Sequence, residues 1–169
     1  MKFGEGNVYE GEFKDNNLHG RGKLTNDVRM MCYDGEWKQN KMHGQGLYKW
    51  HDGRRYQGEY VDDKKEGFGT YMWVDGRIYY GSWKGGNQHG EGTIILPNMS
   101  MKKSYWENGK ETSRLKLSEM EKEEISTYVK EMQADDATEK KYLKGGLTRS
   151  STLKRNRSSR RSNGLLSSK

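Results

Sequence analysis

Between residues 9 and 96, glycine, aromatic and aliphatic residues alternate with polar ones in short bursts that recur every 23 or 24 residues. Each period opens on Tyr-x-Gly-x-aromatic, at 9–13, 33–37, 56–60 and 79–83. Paired glycines follow at one offset: Gly20/Gly22, Gly44/Gly46, Gly67/Gly69 and Gly90/Gly92. Along a strand, positions i, i+2 and i+4 share a face. Tyr33, Gly35 and Trp37 therefore point one way, and Asp34 and Glu36 the other. The second segment places Gly44, Gly46, Tyr48 and Trp50 on one face, and likewise Gly67, Gly69, Tyr71 and Trp73. Copy one is weaker, with Asn26 where Trp50 stands later. Between the segments come Asn16, Asn40, Asp63 and Gly86, which tolerate the positive φ of a tight reversal. A second turn signal closes the period at Gly6, Asp52-Gly53 and Asp75-Gly76. The pattern predicts one hairpin per period, and glycines that leave room for a neighbouring ring.

A fifth, decayed copy keeps Trp106 and Gly109, but has Lys102 and Ser104 in place of Tyr and Gly; it reads as a capping repeat. The link from Asn26 to Cys32 lacks Asp-Gly and predicts an irregular turn. Five hairpins give about ten strands in a single elongated antiparallel meander. The expected organisation is a repeat sheet over 1–112, a helical segment over 113–144 and a basic tail over 145–169. Ser118 and Glu121 form a capping-box pattern, after which Ile125, Tyr128, Val129 and Met132 recur at helical spacing. This predicts an amphipathic helix over 118–133, resuming weakly to 144. Two roles are open for its apolar stripe: covering an aromatic edge of the last repeats, or docking onto another protein.

These phrases resemble the MORN repeat (membrane occupation and recognition nexus), over roughly residues 6–110. The resemblance implies a mainly β fold. It also implies a non-catalytic role of the kind MORN-rich proteins play in ciliary and other cytoskeletal assemblies, radial-spoke heads included.

Composition sharpens this in two ways. Mean hydropathy is −1.24 and only 30% of residues are hydrophobic, too few for a layered core, so the aromatics must hold a thin sheet together. The net charge of +7 is segregated: residues 1–112 carry 17 basic and 16 acidic side chains, whereas 145–169 carry seven basic and none acidic. The tail, with Arg149, Lys154, Arg155, Arg157, Arg160 and Arg161, is expected to be disordered and to act as an electrostatic arm or as a plain solvated terminus. An acidic microtubule surface (tubulin) or anionic lipid would suit such an arm, and Ser158, Ser159 and Ser162 are candidate phosphorylation sites. Nucleic acid is disfavoured, because no aromatic adjoins the basic run. A single cysteine, Cys32, no apolar leader and no long apolar run point to the cytoplasm, with cytoskeleton or cilium as the destination.

Candidate chemistry is sparse. His19, His43, Glu66 and His89 share one repeat position, but equivalent positions lie two strands apart, about 9–10 Å, too far for one metal ion. The Gly-x-Gly pairs lead into strands rather than helices, so they are not phosphate loops. No catalytic residue, metal or cofactor is expected. The candidate surface is the aromatic face: Tyr48, Trp50, Tyr56, Tyr71, Trp73, Tyr79 and Trp83. The expected function is that of an adaptor binding partner proteins of a large assembly through this face. The alternative is a membrane tether acting through the tail. Edge-to-edge pairing into a homodimer stays open.

Overall fold

The structure, a computed structural model, describes residues 1–144; the basic tail and its candidate phosphorylation sites lie outside them. Eleven strands form one antiparallel sheet: β1 (Lys2–Phe3), β2 (Asn7–Lys14), β3 (Asn17–Asn26), β4 (Met31–Lys38), β5 (Lys41–Lys49), β6 (Arg55–Val61), β7 (Lys64–Met72), β8 (Ile78–Lys84), β9 (Asn87–Ile95), β10 (Met101–Glu107) and β11 (Lys110–Arg114). Their order in the sheet is their order in the chain. The meander is as expected, with the short β1 added. One helix follows, α1 (Glu119–Lys144). The chain divides into two compact units at Tyr128/Val129, within that helix.

The turns follow from their residues. Asp15-Asn16, Gln39-Asn40, Asp62-Asp63 and Gly85-Gly86 all take positive φ, the mirror-image two-residue turn whose twist matches a hairpin. The connections β5–β6, β7–β8 and β9–β10 each span five residues. Gly53 N–H donates to Trp50 O and Trp50 N–H to Arg54 O, and Gly53 has φ +94. Asp52 Oδ1 accepts from Arg54 N, as Asp75 Oδ1 does from Arg77 N. The link after β3 is indeed irregular: buried Asn26 takes over the turn, accepting from Arg29 N and donating to Glu5 O.

One expectation about the face needs correction. The paired glycines do not share it. Each copy has a bulge at this point, so that Gly35 pairs with Gly46 while Glu36 pairs with His43. The first glycine of each pair sits in the bulge with positive φ (Gly20 +62, Gly44 +59, Gly67 +61, Gly90 +81). A Cβ on Gly20, Gly44 or Gly67 would strike the carboxylate of Glu12, Glu36 or Glu59, on the side away from the rings. Only the second glycine faces the aromatics. Together with Gly11, Gly35, Gly58 and Gly81 it forms a straight row across the sheet, Gly11–Gly22–Gly35–Gly46–Gly58–Gly69–Gly81–Gly92, which ends on fully buried Ser104.

The decayed fifth copy keeps the register and closes the row. Ser104 Oγ donates to Glu111 Oε1, and Lys102 pairs with the same carboxylate at 2.6 Å. Ser118 caps α1 as the sequence indicates: Glu121 N donates to its Oγ, and Glu121 Oε2 accepts from its backbone N. The first turns of α1 do not cover the aromatic face. They lie on the opposite one, over Thr70, Tyr80, Thr93 and Lys103, which pair with one another in a row adjacent to the tyrosines. Tyr128 packs its ring 5.3 Å from Tyr80 and accepts a hydrogen bond from Thr70 Oγ1; Lys103 Nζ lies 2.9 Å from Glu121.

Candidate functional site

The aromatic face is built in two tiers. The lower tier is a relay of edge-to-face rings: Tyr9–Trp37–Tyr33–Tyr60–Tyr56–Trp83–Tyr79–Trp106, with successive centroids 5.0–5.6 Å apart and planes at 82–90°. Every opening tyrosine lies over two glycines paired across its hairpin, as Tyr33 does over Gly35 and Gly46. Its hydroxyl donates to the carbonyl three residues on, as Tyr33 does to Glu36 O at 2.9 Å and Tyr56 to Glu59 O at 3.1 Å. Each indole N–H reaches back one repeat: Trp37 to Gly22 O (2.9 Å), Trp83 to Gly69 O (3.1 Å) and Trp106 to Gly92 O (3.4 Å). Glycine is required there because a Cβ on Gly46 would enter the ring of Tyr33. Burial pushes the phenols of Tyr33, Tyr56, Tyr60 and Tyr79 well above the ordinary tyrosine value, with a further push from Glu36 at Tyr33 and from Glu59 at Tyr56.

The upper tier is more open. Tyr48 and Trp50 stack at 4.4 Å, Trp50 meets Tyr71, and Tyr71 meets Trp73. Of the seven face residues singled out from sequence, Tyr56, Tyr71, Tyr79 and Trp83 are buried, while Tyr48, Trp50 and Trp73 are half-buried and accessible. The turn arginines cover the indoles from one side. Arg54, held by Asp52 at 2.7 Å, lies 5.5 Å from Trp50, and Arg77, held by Asp75 at 2.7 Å, lies 5.3 Å from Trp73. Two adjoining clefts open on this face. One, of about 280 Å³, is lined by Leu24, Met31, Tyr33, Trp37, Met42 and Tyr48; the other, of about 310 Å³, by Met42, Tyr48, Trp50, Tyr60, Lys65 and Gly86.

Periodicity missed the residues opposite the fifth-position aromatics. Because of the bulge, Leu18, Met42, Lys65 and Gln88 pair with Phe13, Trp37, Tyr60 and Trp83, and so face the rings. It also missed the glutamates of the repeat. Glu12, Glu36 and Glu59 each accept from the amide between the paired glycines, of Arg21, Gln45 and Phe68 respectively, which gives them a structural task. The turn residues supply a further link: Asn40 Oδ1 accepts from Leu18 N, and Asp63 Oδ1 from Met42 N.

Of the candidate helix residues, Ile125 and Tyr128 sit apart from this face. Ile125 is buried, Tyr128 is half-buried against Thr70 and Tyr80, and Val129 and Met132 are buried. The histidines share no site: His43 pairs with Glu36 within its own hairpin, as Glu66 pairs with Glu59 in the next.

The MORN repeat family model matches residues 9–26, 33–54, 56–76 and 79–98, one match per complete hairpin. The chain carries four MORN repeats. Among curated proteins, none matches it. MORN repeats are binding modules without catalytic machinery, directed at proteins or membranes. In this MORN sheet the lower tier holds the repeats together, while the upper tier and its clefts stay accessible.

Proposed function

We propose that the protein is a non-catalytic adaptor that binds a partner protein through the upper aromatic tier of its MORN sheet. Its place is within a cytoskeletal assembly, with the ciliary axoneme as first choice. The observation that carries the binding reading is the run of accessible rings Tyr48, Trp50 and Trp73 over two adjoining apolar clefts, on the face opposite the first turns of α1. Apolar surface of this kind on a repeat sheet marks an interaction site. The assembly and its location rest on the resemblance to MORN-rich cytoskeletal proteins. Extraction of source cells with non-ionic detergent at moderate salt tests them: the adaptor stays in the insoluble pellet. The variant Trp50→Ala/Trp73→Ala, which spares the relay, is expected to leave that pellet. Retention of this variant argues against the aromatic face.

The segregation of charge supports a second reading. Residues 1–112 are nearly neutral and give anionic lipid little attraction, so a membrane tether would act through the seven basic residues of 145–169. Release of the native protein with solubilised membranes, abolished by deleting that segment, would favour it over the adaptor.

A further inference from the structure

The position that faces the fifth aromatic is apolar or neutral in three copies, Leu18, Met42 and Gln88, yet copy three places a lysine there. Lys65 brings its ammonium among four rings, 4.6 Å from the centroid of Tyr71, 4.7 Å from Trp83, 5.4 Å from Tyr56 and 5.8 Å from Trp50. Ring faces attract a cation but accept no strong hydrogen bond from it. Among the described residues Lys65 has no ion pair, and the nearby Arg54 is already held by Asp52. Burial and the Arg54 charge hold the Lys65 amine down to about 8.

A second observation concerns what is missing beside it. In the two preceding copies the turn residue of the next hairpin projects an oxygen onto the equivalent amide: Asn40 onto Leu18, Asp63 onto Met42. At Lys65 the counterpart is Gly86, which keeps the backbone bond from its N–H to Lys65 O but has no side chain to offer. The second cleft opens at this place, lined by both residues and by Lys64 and Asp63, whose Oδ1 is already engaged by Met42 N.

We propose that Lys65 and the slot left by Gly86 form a receptor for a carboxylate, so that the segment bound by the aromatic face carries an Asp or Glu flanked by apolar residues. This rests on the docking reading above and specifies the chemistry of the partner. A carboxylate in the slot takes the place that the Asp63 side chain holds one repeat earlier, and gives the lysine a counter-charge in surroundings where water is partly excluded. The chain's own segment 145–169 cannot serve, since it has no acidic side chain. A lipid headgroup is the poorer fit: the clefts are ring-lined, and the surrounding sheet is close to neutral.

Random-peptide display on the full chain tests this, with selected peptides resynthesised and titrated by fluorescence polarisation against wild type, Lys65→Met, Gly86→Asp and Trp50→Ala. Copy two folds with Met42 at the equivalent position, so Lys65→Met preserves the sheet. Gly86→Asp supplies the carboxylate in cis, as Asp63 does for Met42. The expected peptides share an acidic residue beside apolar ones and lose about tenfold or more in affinity with Lys65→Met and with Gly86→Asp. Changing the acid to its amide gives the same loss, and Lys65→Met then adds nothing. Peptides that need Trp50 but lack an acid, or that ignore Lys65→Met, overturn the carboxylate site and leave the docking reading standing. No Trp50-dependent peptide at all removes both. Phosphatidylserine vesicles that capture the wild type but not Lys65→Met would assign the cation to lipid and overturn the proposal.

Discussion

At the scale of single residues, glycines with different tasks can be told apart by substitution. Gly46 lies under the Tyr33 ring, which is buried and tied down by its hydroxyl, so the ring cannot swing aside for a methyl group. Gly46→Ala is expected to cost about 3 kcal/mol by overpacking. Gly53 has open space around its missing Cβ and only a left-handed backbone to lose, so Gly53→Ala should cost about 1–2 kcal/mol. Urea unfolding of both variants checks this; equal losses would mean that conformation rather than ring packing sets the need for glycine. The second residue-scale prediction concerns pH. Lys65 titrates near 8 when folded and near its ordinary, higher value when unfolded. Between the two the unfolded chain holds the extra proton, so stability rises with pH from about 8 towards 10. Tyr33, Tyr56, Tyr60 and Tyr79 act in the opposite sense: their folded phenols stay neutral while unfolded ones ionise above about 10, and stability then falls. Thermal midpoints across this range should rise and then drop, and Lys65→Met should remove only the rise.

At the scale of elements, hairpins and helix were legible for different reasons. Asn16, Asn40 and Asp63 declare their turns because few other residues accept that backbone. The capping box declares the start of α1. Ser118→Ala, which removes the hydroxyl bonded to Glu121, should cost about 1 kcal/mol and quicken amide exchange in the first helical turn. Unchanged exchange there would show that Lys103–Glu121 suffices to hold the turn. The bulge was not legible, since Gly-x-Gly reads equally well as simple alternation. Reading it that way put Gly44 on the wrong face and hid Met42 and Lys65. The face that receives α1 did leave a trace. The row that begins Glu10, Lys23, Asp34 in the early strands becomes Thr70, Tyr80, Thr93 in the later ones, and Thr70 and Thr93 are buried. Loss of charge from the polar positions of late repeats is the signal that a covering element needs.

At the scale of the whole molecule, every strand pairs only with its chain neighbours, and each repeat is tied to the preceding one by the same ring contact, with an indole bond added where the ring is Trp37, Trp83 or Trp106. Such an array is stabilised by nearest-neighbour terms, so its ends are its weakest parts. β11 pairs on one side only and all five of its residues are exposed. Hydrogen exchange should therefore be fastest, within the sheet, in β11 and β1, and slowest in β6–β8. Uniform protection would argue for a single cooperative block. The candidate surface was legible only in part for a related reason. Sequence shows that the rings share a face, but not that half of them are consumed in the relay between repeats. Tyr56, Tyr79 and Trp83 serve the sheet, and Tyr48, Trp50 and Trp73 remain accessible.

The strand order also has a mechanical meaning. A pull that separates the chain ends does not load all the backbone bonds of this sheet together, as shearing two distant strands would. It opens β1–β2 at one end, at the other lifts the first turns of α1 before β10–β11, and then meets the next hairpin, one ladder at a time. The sheet is thus built to yield stepwise under tension, each step releasing about one repeat of chain. Because register, glycine row and ring relay are fixed within each neighbouring pair, the remaining repeats keep their shape while it does so.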